Sequence, residues 1–153
     1  MLERAGNVAD DPVQSALLRV EYLAARNRLD EAGRLVEKTL SANPDRVELH
    51  VVQAGLTELA GNTDDALRLL ERARGDGHDS VELRLAVARH WRTRKPADAA
   101  EALESLEQDA GLFTEDDRNR LYEGLAELHE LAGNTGDVER LWKLVAVPAV
   151  QTT

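Results

Sequence analysis

The chain has no cysteine, and it has one phenylalanine, one methionine and only 3% aromatic residues among 153. Without thiols it can form no disulfide, no thiolate metal site and no cysteine nucleophile, although a core of this size needs no staples, so the compartment is left open. With so few aromatics the core must be built from Leu, Val and Ala, which suits closely packed helices better than a sheet rich in aromatic and β-branched residues. Proline is scarce as well. Pro12, Pro44, Pro96 and Pro148 all fall where a helix should begin or end, with Pro96 just inside a start, and none interrupts a periodic segment. Nowhere do 18 uncharged apolar residues run together, and Met1-Leu2-Glu3-Arg4-Ala5-Gly6 lacks the apolar stretch of a signal peptide. A cytoplasmic chain is the expectation. Lysine is nearly absent, 3 against 16 arginines, a codon bias common in GC-rich bacterial genomes.

What is abundant is acid. The formal charge of −10 opposes binding to a phosphate backbone or an anionic membrane, both of which draw affinity from clustered Lys and Arg. A chain of 153 residues can form one compact domain or about four helical repeats, burying roughly two-thirds of its unfolded surface.

The internal pattern favours repeats. Glu58-Leu59-Ala60-Gly61-Asn62-Thr63-Asp64-Asp65-Ala66 returns as Glu130-Leu131-Ala132-Gly133-Asn134-Thr135-Gly136-Asp137-Val138, 72 residues later, which is twice a helical-hairpin repeat of 36. Helices are expected near 13–26, 29–42, 46–60, 63–74, 79–93, 96–109, 116–132 and 135–147, joined by short connections. In the repeated segment Gly61 and Gly133 can take the left-handed conformation that ends a helix, and Thr63 and Thr135 can cap the next one. Asp64, Asp65 and Asp137 then fall in a first turn, where the helix dipole favours negative charge.

Four segments carry a family resemblance. Asn27-Arg28-Leu29-Asp30-Glu31-Ala32, with Val36, Thr39-Leu40 and Asn43-Pro44, resembles the turn and second helix of a tetratricopeptide repeat. Asp64-Asp65-Ala66 with Leu70 and Ala73, Ala97-Asp98-Ala99 with Leu103 and Leu106, and Gly136-Asp137-Val138 with Trp142 and Val145 are similar. The anchors Ala32, Ala66, Ala99 and Val138 lie 34, 33 and 39 residues apart, the extra length falling in 109–117, where Thr114 with Asp117 reads as a helix cap. In the first helices the family's large aromatic is replaced by Ala16, His50 and Leu83, with only Tyr122 fitting. The resemblance implies an all-α, right-handed α-solenoid of about four helix-turn-helix repeats (13–45, 46–78, 79–112 and 116–147), after a leader at 1–12 and before a tail at 148–153.

No catalytic constellation, metal-ligand set or cofactor motif stands out. His129-Glu130 lacks the second histidine of a His-Glu-x-x-His zinc motif because position 133 is Gly, and His90 and His129 fall where successive first helices pack. Ser15, Ser41, Ser80 and Ser105 sit beside no histidine at helical spacing, and no phosphate-cradling glycine loop occurs. The expectation is a non-enzyme without cofactor.

By the resemblance, the first helices line a concave groove for a peptide or partner helix, including Glu21, Val52, Glu58, Arg84, Trp91, Arg92 and Glu127. Trp91 would anchor a mixed-charge protein segment, with Arg84 and Arg92 meeting its acidic residues, since Trp and Arg dominate interface energetics. The carboxylate clamp of some relatives is excluded, because Leu17, Glu21, Val52, Val81 and Leu85 occupy the matching places. Trp142 is expected to be core. Leu141, Trp142, Leu144, Val145 and Val147 end the last hairpin without an obvious cover, which points to self-association or to a further domain at that end. The alternative function is a regulatory or substrate-binding arm of a larger enzyme such as a transferase.

Overall fold

A computed structural model describes residues 11–94 and 96–145, and among these it contains α-helices and no strand. Eight α-helices run in order among the described residues: α1 (Pro12–Ala25), α2 (Leu29–Ala42), α3 (Val47–Leu59), α4 (Thr63–Ala73), α5 (Val81–Arg94), α6 (Ala99–Ser105), α7 (Glu115–Leu131) and α8 (Thr135–Leu144). A π-helical turn, Arg74–His78, follows α4, and a 3-10 turn, Ala110–Leu112, precedes α7. The chain forms two compact units, Met1–Asp79 and Ser80–Thr153. The helical-hairpin repeat architecture expected from the sequence is the one observed.

In the first unit, α1 packs on α2, α2 on α3 and α3 on α4, so consecutive helices are neighbours throughout. Val20 and Leu23 of α1, Ala32 and Val36 of α2 and Leu56 of α3 share one apolar cluster, with Leu35 and Val52 packed against it. In the second unit α5 contacts α6, α7 contacts α8, and α5 also lies directly against α7. Its core is made of Leu83, Val87, Leu103, Leu121, Leu125 and Leu141, all essentially inaccessible. The aliphatic core that the scarcity of aromatics required is present in both units.

Local signals set the helix ends. Asp11 accepts hydrogen bonds from the Val13 and Gln14 backbone N–H groups, and Pro12 occupies the first turn, where its missing N–H costs nothing. Thr114 accepts from the Asp117 N–H at 3.2 Å and starts α7 as its Thr-x-x-acid pattern indicated. Gly61 and Gly133 stand at φ +93° and +80°. Around each, two backbone bonds close the helix: Gly61 N–H to the Glu58 carbonyl and Asn62 N–H to that of Thr57, repeated as Gly133 to Glu130 and Asn134 to His129. The first hairpin bends in the same way with Asn27 at φ 60°, its N–H on the Ala24 carbonyl and the Arg28 N–H on that of Leu23.

Three local expectations need correction. Thr63 and Thr135 are the first helical residues rather than caps; Asn62 and Asn134 precede them and make no side-chain capping bond. Pro96 lies in a turn ahead of α6, and α6 is a short helix, Ala99–Ser105, instead of the 96–109 the pattern suggested. The chain leaves the helix through turns that end at Asp109 in the left-handed region, φ 59°. The final helix ends at Leu144. Of the leader expected at 1–12, Asp11 and Pro12 instead cap and begin α1, while residues 1–10, residues 146–147 and the tail at 148–153 lie outside the described residues.

Candidate interaction surface

The seam between α5 and α7 is the best-defined face formed by first helices within one unit. On α5 the row Glu82, Leu85, Arg89 and Arg92 recurs at helical spacing, and on α7 so does the row Arg120, Gly124, Glu127 and Leu131. Three contacts join them. Arg120 donates to Glu82 at 3.1 Å and to Asp117 at 2.8 Å, which raises its affinity for its proton through these two carboxylates. Leu85 lies over Gly124 so closely that a Cβ there would stand 2.6 Å from Leu85 Cδ2. Arg92 Nη2 donates to the Leu131 carbonyl at 3.0 Å. Arg89 and Glu127 occupy the remaining place in each row, and both are exposed.

The residues expected to line a groove fall unevenly. Glu21 and Glu127 are exposed, while Trp91, Arg92 and Glu58 are half-buried. Val52 is half-buried against the first unit's apolar cluster. Arg84 is the clear exception and a correction, being 3% exposed. Its Nη1 donates to the carbonyls of Leu106 at 2.9 Å and Gln108 at 2.5 Å, and its guanidinium carbon lies 4.8 Å from the centre of the Phe113 ring. The cation thus satisfies carbonyls released at the end of α6, a place where the helix dipole also favours positive charge. It is spent inside the unit, and Val81 and Ala88, on the same side of α5, are buried with it. Glu82 and Arg89 are exposed residues of α5 that the repeat register missed; their spacing of seven residues, two helical turns on one side of the helix, was the available signal.

The segment between α6 and α7 is held from a second side. Arg140 of α8 makes a two-pronged bond to Glu107, at 2.6 and 2.9 Å, and a third bond to Asp137 at 3.0 Å. Those hydrogen bonds, to Glu107 first and then to Asp137, raise the arginine's pKa further above its ordinary value. Beside this pair lies an acidic cleft of about 510 Å³ lined by Glu101, Glu104, Ser105, Glu107, Gln108 and Arg140.

The histidines pack rather than converge on a ligand. His129 is fully buried, with Nδ1 at 3.2 Å from the Asn134 amide nitrogen and 3.7 Å from Asp137. Burial pushes its pKa below the ordinary value, against the opposing pull of Asp137 and Glu107. His90 is buried too. His50 stacks on His78 at 5.1 Å between ring centres and places Nε2 2.9 Å from the Pro44 carbonyl oxygen, a pairing that sequence spacing did not reveal. Among the described residues no group of three or more His, Asp or Glu side chains is placed to hold a metal ion, and no helix is long and apolar enough to cross a membrane.

Trp142 departs from its expected place in the core: half of it is exposed, and Leu144 is exposed beside it, whereas Leu141 is buried.

Neither family models nor curated proteins compared with this sequence give a match. Among solved structures the chain is similar to MamA D159K mutant 2, with a TM-score of 0.51 and 16% identity over 90% of this chain and 77% of that one. That neighbour is a helical-repeat protein of the tetratricopeptide type, and the likeness is one of fold. The chain folds as an all-α array of helix-turn-helix repeats, a fold like that of this neighbour.

Proposed function

We propose that this protein is a non-enzymatic scaffold that holds an extended peptide or a partner helix on the outward face of its first helices. The observation that carries this reading is the α5–α7 seam. Two first helices lie side by side at glycine distance and turn outward a row of both charges, with Glu82 and Arg120 already paired and Arg89 and Glu127 exposed. Fixed charges on rigid helices select a partner with little loss of side-chain freedom. Arg92, which ends the α5 row, and Trp91 beside it serve as anchors. In the first unit, taken by itself, Glu21 and Glu58 offer an acidic surface. Arg84 has no part in it. The fold it shares with a tetratricopeptide-type neighbour supports a protein partner in general terms.

Selection of displayed random peptides against the whole chain tests this. Enriched peptides should lose at least about tenfold in affinity on the double substitution Arg89→Glu with Glu127→Lys. They should keep it on Glu101→Lys, which alters the acidic cleft instead. Absence of enrichment, or equal binding to the double variant, would sink the proposal.

A further inference from the structure

The exposed apolar patches of α1 and α8 are halves of a contact that α2 and α3 already make within the first unit. The repeat anchors Ala32, Ala66, Ala99 and Val138 place Val36, Leu70, Leu103 and Trp142 at one equivalent position of the second helices. The first three are 0%, 3% and 0% exposed, and Trp142 is 50% exposed. In the first unit Val36 is covered by α3, whose Leu56 belongs to the same cluster and whose Val52 packs against it. Val52 and Leu56 have equivalents 34 residues earlier, on α1, namely Leu18 and Tyr22. These are 67% and 54% exposed, far from the burial of Leu56 at 8%.

We infer that α8 of one molecule docks on α1 of a second copy, reproducing the α2–α3 contact between molecules. Trp142 then lies against Leu18 and Tyr22 as Val36 lies with Val52 and Leu56. Charge agrees in the same register. Gly33 of α2 and Ala60 at the end of α3 line one cleft between those helices, of about 310 Å³. Their equivalents are Glu139 on α8 and Arg26 at the end of α1, both exposed and of opposite sign. Arg26 is already held over the Tyr22 ring, 4.4 Å from its centre, so the cation and the apolar anchor are presented together. A contact between two different faces is head-to-tail, and it either closes a ring or extends into a filament. This inference is independent of the α5–α7 reading, since it uses neither helix.

Sedimentation velocity on the full chain and two variants decides it. The mean mass of the wild-type chain should rise with concentration beyond 16.9 kDa and beyond a dimer. Trp142→Glu and Leu18→Glu each remove one half of the joint at an exposed position, and each should weaken association at least about tenfold while leaving the helical signal intact. Mixed in equal amounts, the two variants keep one good half apiece and should form a complex of two chains that grows no further. Three results overturn the inference. The wild type stays a monomer up to about 1 mM, where only negligible affinity remains, leaving the patches to another protein. Leu18→Glu associates as well as the wild type, which would mean an α8–α8 contact. Or the mixture of variants fails to form the two-chain complex.

Discussion

Arg84 donates to the Leu106 carbonyl oxygen at 2.9 Å across 22 residues of chain, tying the start of α5 to the end of α6. The same nitrogen serves Gln108, and the guanidinium carbon lies over the Phe113 ring. Replacing Arg84 by Met should destabilise the protein by about 2–3 kcal/mol, because a charged donor is lost and the buried Leu106 carbonyl is left without it. Arg84→Lys should recover only part of this, since a compact ammonium group lacks the spread of donors and the delocalised charge with which the guanidinium reaches the two carbonyls and the Phe113 ring together. Urea unfolding checks both; a change below about 0.5 kcal/mol for the Met variant would refute the role.

Leu85 and Gly124 should show strong coupling. Alanine at 124 gains about 1 kcal/mol of helix propensity but meets Leu85 Cδ2 at 2.6 Å. Gly124→Ala alone is therefore expected near neutral or destabilising, and in a Leu85→Ala background it should be stabilising. A double-mutant cycle with coupling below about 0.5 kcal/mol would refute the close approach.

His129 predicts a loss of stability in mild acid. Burial lowers its folded-state pKa below the unfolded value near 6.5, so protons bind the unfolded chain more readily. Asp137, Glu107, Glu104 and Arg140 are the charged groups facing it, the three carboxylates opposing the shift and the arginine adding to it. Stability from this residue is complete above about pH 6.5 and declines as pH falls below it, by at most about 1.4 kcal/mol per pH unit, until the folded pKa is reached. In His129→Gln that part of the slope should vanish as pH falls below about 6.5. Thermal midpoints measured across this range provide the check.

The two bends that share a sequence should respond alike. Gly61→Ala and Gly133→Ala each force a Cβ into the left-handed region at φ +93° and +80°, at a cost of about 1–2 kcal/mol. Asn27→Gly, at the equivalent bend, should stabilise by a few tenths of a kcal/mol, because asparagine tolerates that conformation less well than glycine. Denaturant midpoints that move in the opposite order would contradict the equivalence of the three bends.

Much of the fold was legible because its punctuation is local. Gly61, Gly133, Pro12 and the Thr114 to Asp117 cap act within a few residues of themselves, so the eight helices could be read from local signals, although the bounds of α6, the Pro96 joint and the caps at Thr63 and Thr135 could not. The surface was harder. Arg84 looked like a groove cation because its partners sit in the 106–113 segment, whose path no periodicity encodes. Helix α5 buries Val81, Leu83, Ala86, Val87, Ala88 and His90, which lie nearly all round it, so its pattern pointed in no single direction. Trp142 looked like core because size and apolarity usually mean burial; its exposure depends on what α8 packs against, which is a tertiary fact.

The nine-residue stretch 106–114 shows that additional length need not bring freedom. Arg84 grips it from one helix and Arg140 from another, Asp109 turns it and Thr114 hands it on to α7. A limited digestion with an acid-specific endoprotease should therefore nick this strap more slowly than its exposed glutamate and aspartate neighbours suggest, and loosening either arginine should turn it into the preferred point of cleavage.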